Sequence, residues 1–191
     1  MNMLTDSHDA VTADWAAALL DFWFNQVGEK GWWSHDPRLD RVCIEKFAEL
    51  WRDKKAHPAE HFLDRADDAL AAILLFDQLP RNMFRDRADA YATDALAREI
   101  ARGAIAQGYD VQIGGAGRCF FYMPFMHSEN REDQDLSLTL FEGAGEAKWL
   151  DFARQHRALI AQFGRFPHRN AVLGRETRDE ERDAVAKGDD W

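Results

Sequence analysis

The chain has 191 residues, 46% of them hydrophobic and 12% aromatic, and a formal net charge of −10 at pH 7. These values describe one domain with a dense core, and the acidic balance argues against a nucleic-acid partner that needs a general positive field. The two cysteines, Cys43 and Cys119, lack metal-binding spacing and are expected to be buried thiols in a reducing compartment. The chain has no basic leader and no apolar run near the roughly 20 residues of a membrane span. The sequence therefore predicts a cytoplasmic protein with no membrane partner.

Apolar residues recur at the spacing of helical turns along most of the chain and predict about eight helices without strands. The first helix starts near Trp15, and the second opens at Asp36, a helix cap that Pro37 follows in the first turn. The third is predicted over residues 66–78. It is expected to end at Pro80, which cannot donate a helical hydrogen bond.

The later helices are delimited by capping residues and glycines. Asp86 is predicted to cap a long fourth helix that ends at Gly108. The next three helices are predicted, in chain order, over residues 118–127, from Ser128 onward, and over residues 146–163. Thr177 and Glu180 form the pattern of a capping box for a last helix over residues 178–187.

Short connections between these helices favour an all-α fold of stacked antiparallel helix pairs. We expect a single domain over residues 1–191, with a charged, solvated tail from about residue 176 to residue 191. The sequence shows no repeat of about 34 residues, so periodicity alone does not demonstrate a helical-repeat protein.

Two helices carry an ionisable side chain within an apolar stripe. Asp77 follows three apolar residues at helical spacing, and His156 lies in the middle of the stripe on the seventh helix. Because an unpaired buried carboxylate costs at least about several kcal/mol, Asp77 must have a partner, and Arg81 is one candidate. Asp77 is either part of a structural ion pair or a carboxylate that orients a ligand or a catalytic group. His156 is either a hydrogen-bonded core residue or a functional imidazole with Asp77 as a possible neighbour.

A third ionisable residue, His127, lies at a helix junction. It precedes Ser128 and Glu129, with which it could form a capping cluster. Pro124 interrupts the preceding segment, so the face on which His127 lies does not follow from spacing. The alternative is that the junction presents the imidazole to a ligand.

Residues 152–175 reverse the sign of the chain locally. They contain five arginines, two histidines and no acid, whereas the whole chain has 34 acids and 24 lysines and arginines. A glycine and a proline hold Arg165, His168 and Arg169 in a turn. Because guanidinium groups bind carboxylates and phosphates through paired hydrogen bonds, this turn is a candidate anion site. The alternative is that these arginines neutralise buried acids and the C-termini of helices.

The sequence contains no phosphate-binding loop, nucleophile elbow or zinc-protease motif, so no catalytic residue and no cofactor are assigned. The polar side chains show no diagnostic metal-ligand spacing, and no metal is expected. The candidate ligand-binding residues are the polar members of these segments, namely Asp77, Arg81, Asn82, His127, Glu129, His156, Arg165, His168, Arg169 and Asn170.

Three segments, residues 77–82, 121–129 and 163–175, resemble the signature blocks of a bacterial family catalogued as domain of unknown function 924. The resemblance extends from about Leu20 to Glu181. It implies a fold similar to tetratricopeptide-repeat-like (TPR-like) helical domains. It brings no activity, cofactor or catalytic residue to this chain.

Three functional hypotheses follow. The first is a TPR-like binding domain whose His- and Arg-lined pocket binds a small anion or an acidic peptide. The second is a hydrolase in which Asp77 orients His127 or His156 as a general base while Arg81 and Arg169 stabilise negative charge. The third is a purely structural role for the polar cluster. The substrate and the oligomeric state are not predicted.

Overall fold

The computed structural model describes residues 15–187, which form helices and turns and contain no β-strand. The α-helices in that range, α1 to α11 in chain order, are Trp15–Asp21, Gly28–Trp32, Pro37–Lys54, Ala66–Ile73, Leu79–Met83, Asp94–Ala106, Tyr109–Ile113, Gly115–Met126, Arg131–Ala144, Ala147–Phe163 and Arg182–Lys187. The connecting helical turns are the π turns Phe22–Val27 and Leu74–Gln78 and the 3-10 turns Ala59–Phe62, Ala88–Tyr91, Pro167–Arg169 and Asp179–Glu181. The all-α prediction is confirmed, and π turns and short helices divide the chain into more segments than the eight predicted.

Pro80 does not end the third predicted helix, which corrects the expectation from sequence. The chain passes from α4 through the π turn Leu74–Gln78 into α5, with Pro80 in the first turn of α5. Because proline has no N–H, the carbonyl oxygen of Phe76 lacks its helical donor. The hydroxyl of Thr93 donates to that oxygen at 2.7 Å instead. This replacement lets the helix continue, so the polar residues after Asp77 remain on a helical surface.

Asp86 does not cap the fourth predicted helix. Its φ is 61°, in the left-handed region, whereas a helix cap has an extended backbone. The helix α6 begins at Asp94, after a separate 3-10 turn. The predicted end is confirmed, since Gly108 adopts a left-handed conformation with φ 73°.

Most of residues 176–186 are exposed, as in the solvated tail expected from sequence, but Glu181 ties the segment to the fold. Glu181 is fully buried, and one of its carboxylate oxygens accepts a hydrogen bond from the backbone N–H of Arg178 at 2.9 Å. The capping interaction therefore joins Arg178 and Glu181, and the prediction that Thr177 and Glu180 form it was wrong. Residues 188–191 of the predicted tail lie outside the described residues.

Consecutive helices pack around a shared apolar core. The helices α8, α9 and α10 pack in sequence, α4 packs against α1, α6 and α8, and α5 packs against α3. Phe76 and Phe120 are fully buried in this core. Cys43 and Cys119 are buried and unpaired, as expected, and burial raises the pKa of both thiols to about 12. Within residues 15–187, none of the helices combines the length and the apolar character needed to cross a membrane.

Candidate functional site

A cleft of about 740 Å³ contains most of the sequence-predicted site residues. Its lining is strongly basic, with three arginines and four histidines, namely Arg81, Arg85, Arg169, His35, His127, His156 and His168. Asp86 is the one carboxylate residue among the described residues that line it. Four aromatic side chains complete the wall, namely Trp32, Trp33, Tyr91 and Phe152. A basic cleft in an acidic protein is a distinct local environment that favours an anionic ligand.

Arg81 is held rigidly by two buried carboxylates. Its two terminal nitrogens each donate to one oxygen of Asp94 at 3.2 Å, and Nη1 also donates to the backbone oxygen of Asp77. Nη1 lies 3.5 Å from Oδ1 of Asp77. Burial by itself lowers the pKa of Arg81, but the charges of Asp94 and Asp77 outweigh it and raise the pKa above its ordinary value. Arg81 is therefore a fixed cation whose charge is already balanced.

Arg85 is balanced in a similar way at another part of the cleft. Its Nε and Nη2 donate to the two oxygens of Asp40, both at 2.8 Å. The side-chain amide of Asn82 donates to the same carboxylate at 2.9 Å. Asn82 thus contributes to the cleft while also helping to anchor the carboxylate that holds Arg85.

Arg169 differs from both, because its guanidinium is buried without a carboxylate of its own. The residue is 6% exposed, and no atom in residues 15–187 accepts a hydrogen bond from its Nε. Its Nη1 lies 3.7 Å from Oδ2 of Asp94, beyond hydrogen-bond distance, and Asp94 already binds Arg81. The guanidinium carbon lies 4.6 Å from the ring centre of Tyr91 and 4.4 Å from that of Phe166. Burial, together with the charge of Arg81, lowers the pKa of Arg169.

Asp77 is fully buried and binds His127, one of the two histidines that the hydrolase hypothesis paired with it. Both carboxylate oxygens lie 2.9 Å from Nδ1 of His127, and the amide of Gln78 donates to Oδ2 at 2.5 Å. Burial by itself raises the pKa of Asp77, but His127, Arg81 and these hydrogen bonds outweigh it and keep the pKa below its usual range. Burial lowers the pKa of His127 more than Asp77 raises it. The pair at neutral pH is therefore a carboxylate and a neutral imidazole whose Nδ1–H donates to Asp77.

His156 also lines the cleft, with its ring centre 6.0 Å from that of His127. Its Nδ1 donates to the backbone oxygen of Phe152 at 2.9 Å, which fixes the ring on α10. Burial and the neighbouring His127 lower the pKa of His156 to about 3. This imidazole is neutral across the physiological range and is a weak base.

Four of the ten candidate residues do not line the cleft: Asp77 is fully buried, and Glu129, Arg165 and Asn170 bind other protein groups. Glu129 accepts from both terminal nitrogens of Arg175, at 2.7 and 3.0 Å, and from the backbone N–H of Phe166 at 2.8 Å. Arg165 and Asn170 both donate to the buried carboxylate of Glu181, at 2.7 and 2.9 Å. These contacts link the chain after α10 to neighbouring segments. His127, the partner of Asp77, and Arg169 therefore line the cleft, whereas Glu129, Arg165 and Asn170 do not.

Sequence reasoning missed several residues of the cleft. Arg85 and Tyr91 lie beyond the point where the helix was expected to stop, so their position relative to Arg81 could not be inferred. His35 and the two tryptophans come from the end of α2 and the turn after it, which are distant in sequence from the other lining residues. Adjacent tryptophans in a polar connection were the one available signal. Within residues 15–187, no group of three or more His, Cys, Asp or Glu side chains is arranged to hold a metal ion.

Comparison with known proteins confirms the family resemblance. Residues 19–189 match the family described as a bacterial protein of unknown function, DUF924. The chain is similar to the solved structure of a protein of unknown function from Agrobacterium tumefaciens, with 39% identity and a TM-score of 0.86, over 93% of this chain and 99% of that one. No curated protein sequence matches the chain. No activity is known from these relatives, so the proposed function rests on the chemistry of the cleft.

Proposed function

We infer that this chain, which belongs to the bacterial family DUF924, binds a small organic anion through a carboxylate or phosphate group in the basic cleft. The observation that carries this proposal is the state of Arg169. A buried guanidinium with an unsatisfied Nε–H costs about 1–3 kcal/mol relative to a satisfied one. Nε itself is buried, so a bound oxyanion would accept its hydrogen bond after a small shift of the side chain, and the anion would also neutralise the charge. Such a ligand explains why the fold retains an otherwise unfavourable group.

The other two arginines support this assignment by contrast. Arg81 has Asp94 and Arg85 has Asp40, each through two hydrogen bonds. A protein that needed only to neutralise its buried acids would have no use for the third cation. Arg169 is therefore the cation available to a ligand, whereas the charges of Arg81 and Arg85 are balanced by carboxylates.

The size and lining of the cleft favour a small molecule. Its volume of about 740 Å³ lies within the roughly 300–1,000 Å³ of ordinary small-ligand sites. The aromatic wall of Trp32, Trp33 and Phe152 suits the carbon skeleton of an organic anion better than a bare inorganic ion. The C-terminal carboxylate of an acidic peptide presents the same group to Arg169, and it is the competing ligand in the test below.

A TPR-like arrangement and a cytoplasmic setting belong to the same proposal. The sequential packing of α8, α9 and α10 supports the first, because TPR-like domains stack successive helices beside a ligand-binding surface. The unpaired cysteines support the second, since free thiols persist in reducing compartments.

Thermal unfolding in the presence of succinate, citrate, phosphate and a short acidic peptide tests this function. A ligand at about 100 times its Kd stabilises the folded state by ~2.7 kcal/mol, which raises the Tm of a chain of this size by roughly 5–10 °C. We expect such a rise with at least one organic anion, and we expect Arg169→Met to abolish it. Methionine keeps the apolar contact with the rings of Tyr91 and Phe166 while it removes the charge.

The matched control is Arg154→Met, which removes the same charge from an exposed side chain on α10 that pairs with Asp151. This variant should keep the full anion-dependent rise. Stabilisation of both variants to the same extent would mean that the anions bind elsewhere. The absence of a rise in the wild-type protein with all of these anions at millimolar concentration would overturn the proposed function.

A further inference from the structure

The Asp77–His127 pair points its free imidazole nitrogen toward the cleft. Nδ1 of His127 is bound to the Asp77 carboxylate, whereas Nε2 forms no hydrogen bond with any residue in the range 15–187. The side chain lines the cleft and is 12% exposed, while that of Asp77 is fully buried. A buried carboxylate that fixes one tautomer and leaves a bare Nε2 is the arrangement that makes a histidine an effective proton acceptor.

His127 suits this role better than His156. The pKa of His156 is about 3, and so weak a base accepts a proton poorly near neutral pH. His127 has Asp77 against its ring, which stabilises the imidazolium that forms when Nε2 takes a proton. Arg81 opposes that charge and the neighbouring His156 is neutral, whereas Asp94 adds to the stabilisation.

Hydroxyl and thiol side chains are the protein nucleophiles that His127 could activate instead of water. Ser34 is a hydroxyl that lines the cleft, but its Oγ donates to the backbone oxygen of Gly31 at 2.9 Å rather than to His127. Cys43 and Cys119 are buried in the core and do not line the cleft. The cleft-lining base is therefore positioned to activate a water molecule rather than one of these side chains.

We propose that His127 acts as a general base, with Asp77 as its positioning residue, and that the cleft hydrolyses a carboxylic ester that carries a second, free carboxylate. This inference rests on the proposed function, because the free carboxylate is the group that Arg169 binds. Nε2 of His127 takes a proton from water as the water oxygen bonds to the ester carbonyl carbon, and the carbonyl electron pair moves onto its oxygen. The tetrahedral intermediate then expels the alkoxide, which takes the proton from the imidazolium, and the products are a carboxylic acid and an alcohol.

Two methyl esters of similar size, with hydrolysis followed by proton NMR, test the reaction and its specificity together. Monomethyl succinate, the succinyl ester, carries the free carboxylate, and methyl butyrate lacks it. Methoxide is a poor leaving group, so the free carboxylate does not expel it by attacking its own ester. We expect kcat/KM to be about tenfold to a hundredfold higher for the succinyl ester. Its free carboxylate binds the charged side chain of Arg169, whereas the neutral ester leaves that side chain without a partner. Arg169→Met should remove this preference.

His127→Asn separates catalysis from structure. The asparagine amide nitrogen occupies the place of the imidazole Nδ1, so it can still donate to Asp77, but no proton acceptor replaces Nε2. We expect kcat/KM for the succinyl ester to fall on the order of 10²–10⁴-fold with the succinate-induced rise in Tm retained. His61→Asn, which changes an exposed histidine outside the cleft, is the matched control and should keep wild-type activity.

The pH profile tests the positioning role of Asp77. Wild-type kcat/KM should rise with pH to a plateau with an apparent pKa below 6.5, because the essential base is a histidine whose pKa is lowered. Asp77→Asn should lower the plateau, since the amide can hydrogen-bond the opposite tautomer and place the proton on Nε2. An unchanged plateau and profile in Asp77→Asn would contradict the positioning role.

Two results would overturn this inference in distinguishable ways. Succinate binding without hydrolysis of the succinyl ester, or full activity in His127→Asn, would refute the catalytic role and leave the anion site standing. Failure of both succinate binding and hydrolysis would refute the dyad and count against the proposed function as well.

Discussion

Arg165→Met is expected to destabilise the protein while it leaves the cleft intact. Glu181 is fully buried and accepts hydrogen bonds from Nε and Nη2 of Arg165 at 2.7 Å each, and from Asn170 at 2.9 Å. Arg165, followed by the backbone N–H of Arg178 and by Asn170, outweighs burial and lowers the pKa of Glu181 from its ordinary 4.5 to about 2. Because Arg165 is partly exposed and solvent screens the pair, about 3 kcal/mol is the upper limit of the preference for the folded state at neutral pH that this shift represents.

The same magnitude follows from the geometry. Loss of one partner of a buried ion pair costs about 3–5 kcal/mol, and the partial exposure of Arg165 places this pair at the lower end. We therefore expect Arg165→Met to reduce the free energy of unfolding by about 2–3 kcal/mol at pH 7, as measured by urea unfolding followed by tryptophan fluorescence. Because the folded-state pKa of Glu181 is depressed, this contribution is present above pH 4.5 and is lost as the pH falls toward 2.

Arg182→Met provides the control, since its exposed ion pair with Asp179 should contribute less than about 0.5 kcal/mol. A loss below about 1 kcal/mol in Arg165→Met, or a loss that does not shrink on acidification, would show that this ion pair does not tie the C-terminal segment to the fold. Arg165→Met should also keep the anion-dependent rise in Tm, because Arg165 lies outside the cleft.

Three further predictions concern the cleft itself. Without ligand, Arg169→Met should lower the free energy of unfolding by no more than about 1 kcal/mol, or should raise it, because the variant removes a buried, unsatisfied donor. A loss above about 3 kcal/mol in urea unfolding would show that Arg169 has a structural role. Asp77→Asn should cost about 3 kcal/mol in the same assay, since His127 and Arg81 lose a buried carboxylate, and a negligible loss would contradict the pairing. The depressed pKa of His156, about 3, means that the unfolded state binds more protons below pH 6.5, so stability falls as the pH drops from 6.5 toward 3. At about pH 4.5 the free energy of unfolding should have fallen by about 1–2 kcal/mol less in His156→Gln than in the wild type, a range that allows for partial exposure of the ring. Identical curves of stability against pH in the two proteins would refute this assignment.

The two interruptions of apolar stripes were the part of the site that sequence could predict. Asp77 and His156 interrupt clear helical stripes, and the structure places Asp77 in the core and His156 on the cleft beside His127. The choice between His127 and His156 as the partner of Asp77 could not be made from sequence, because Pro124 obscured the phase of the preceding helix. The structure retains Pro124 within α8, so the helix continues to Met126 and brings His127 to Asp77.

The division of the arginines was beyond sequence reasoning for a different reason. Arg165 and Arg169 belong to the same basic turn, and nothing in their spacing separates a ligand-binding side chain from a structural one. Their fates depend on distant acids, since Glu181 binds Arg165, whereas Asp94 is already bound by Arg81 and lies 3.7 Å from Arg169. The pairing of Arg81 with Asp94 in turn required the helix to continue beyond Pro80, which Thr93 makes possible. Local patterns thus predicted which residues were unusual, and long-range contacts decided their roles.

The proposed function depends on whether Arg169 can bind an anion. A crystal structure of the protein soaked with succinate tests it most directly, because the electron-density map locates the anion. We expect a carboxylate in the cleft that accepts a hydrogen bond from Nε of Arg169. An ordered water molecule that satisfies this Nε, with succinate bound elsewhere or not at all, would contradict the account.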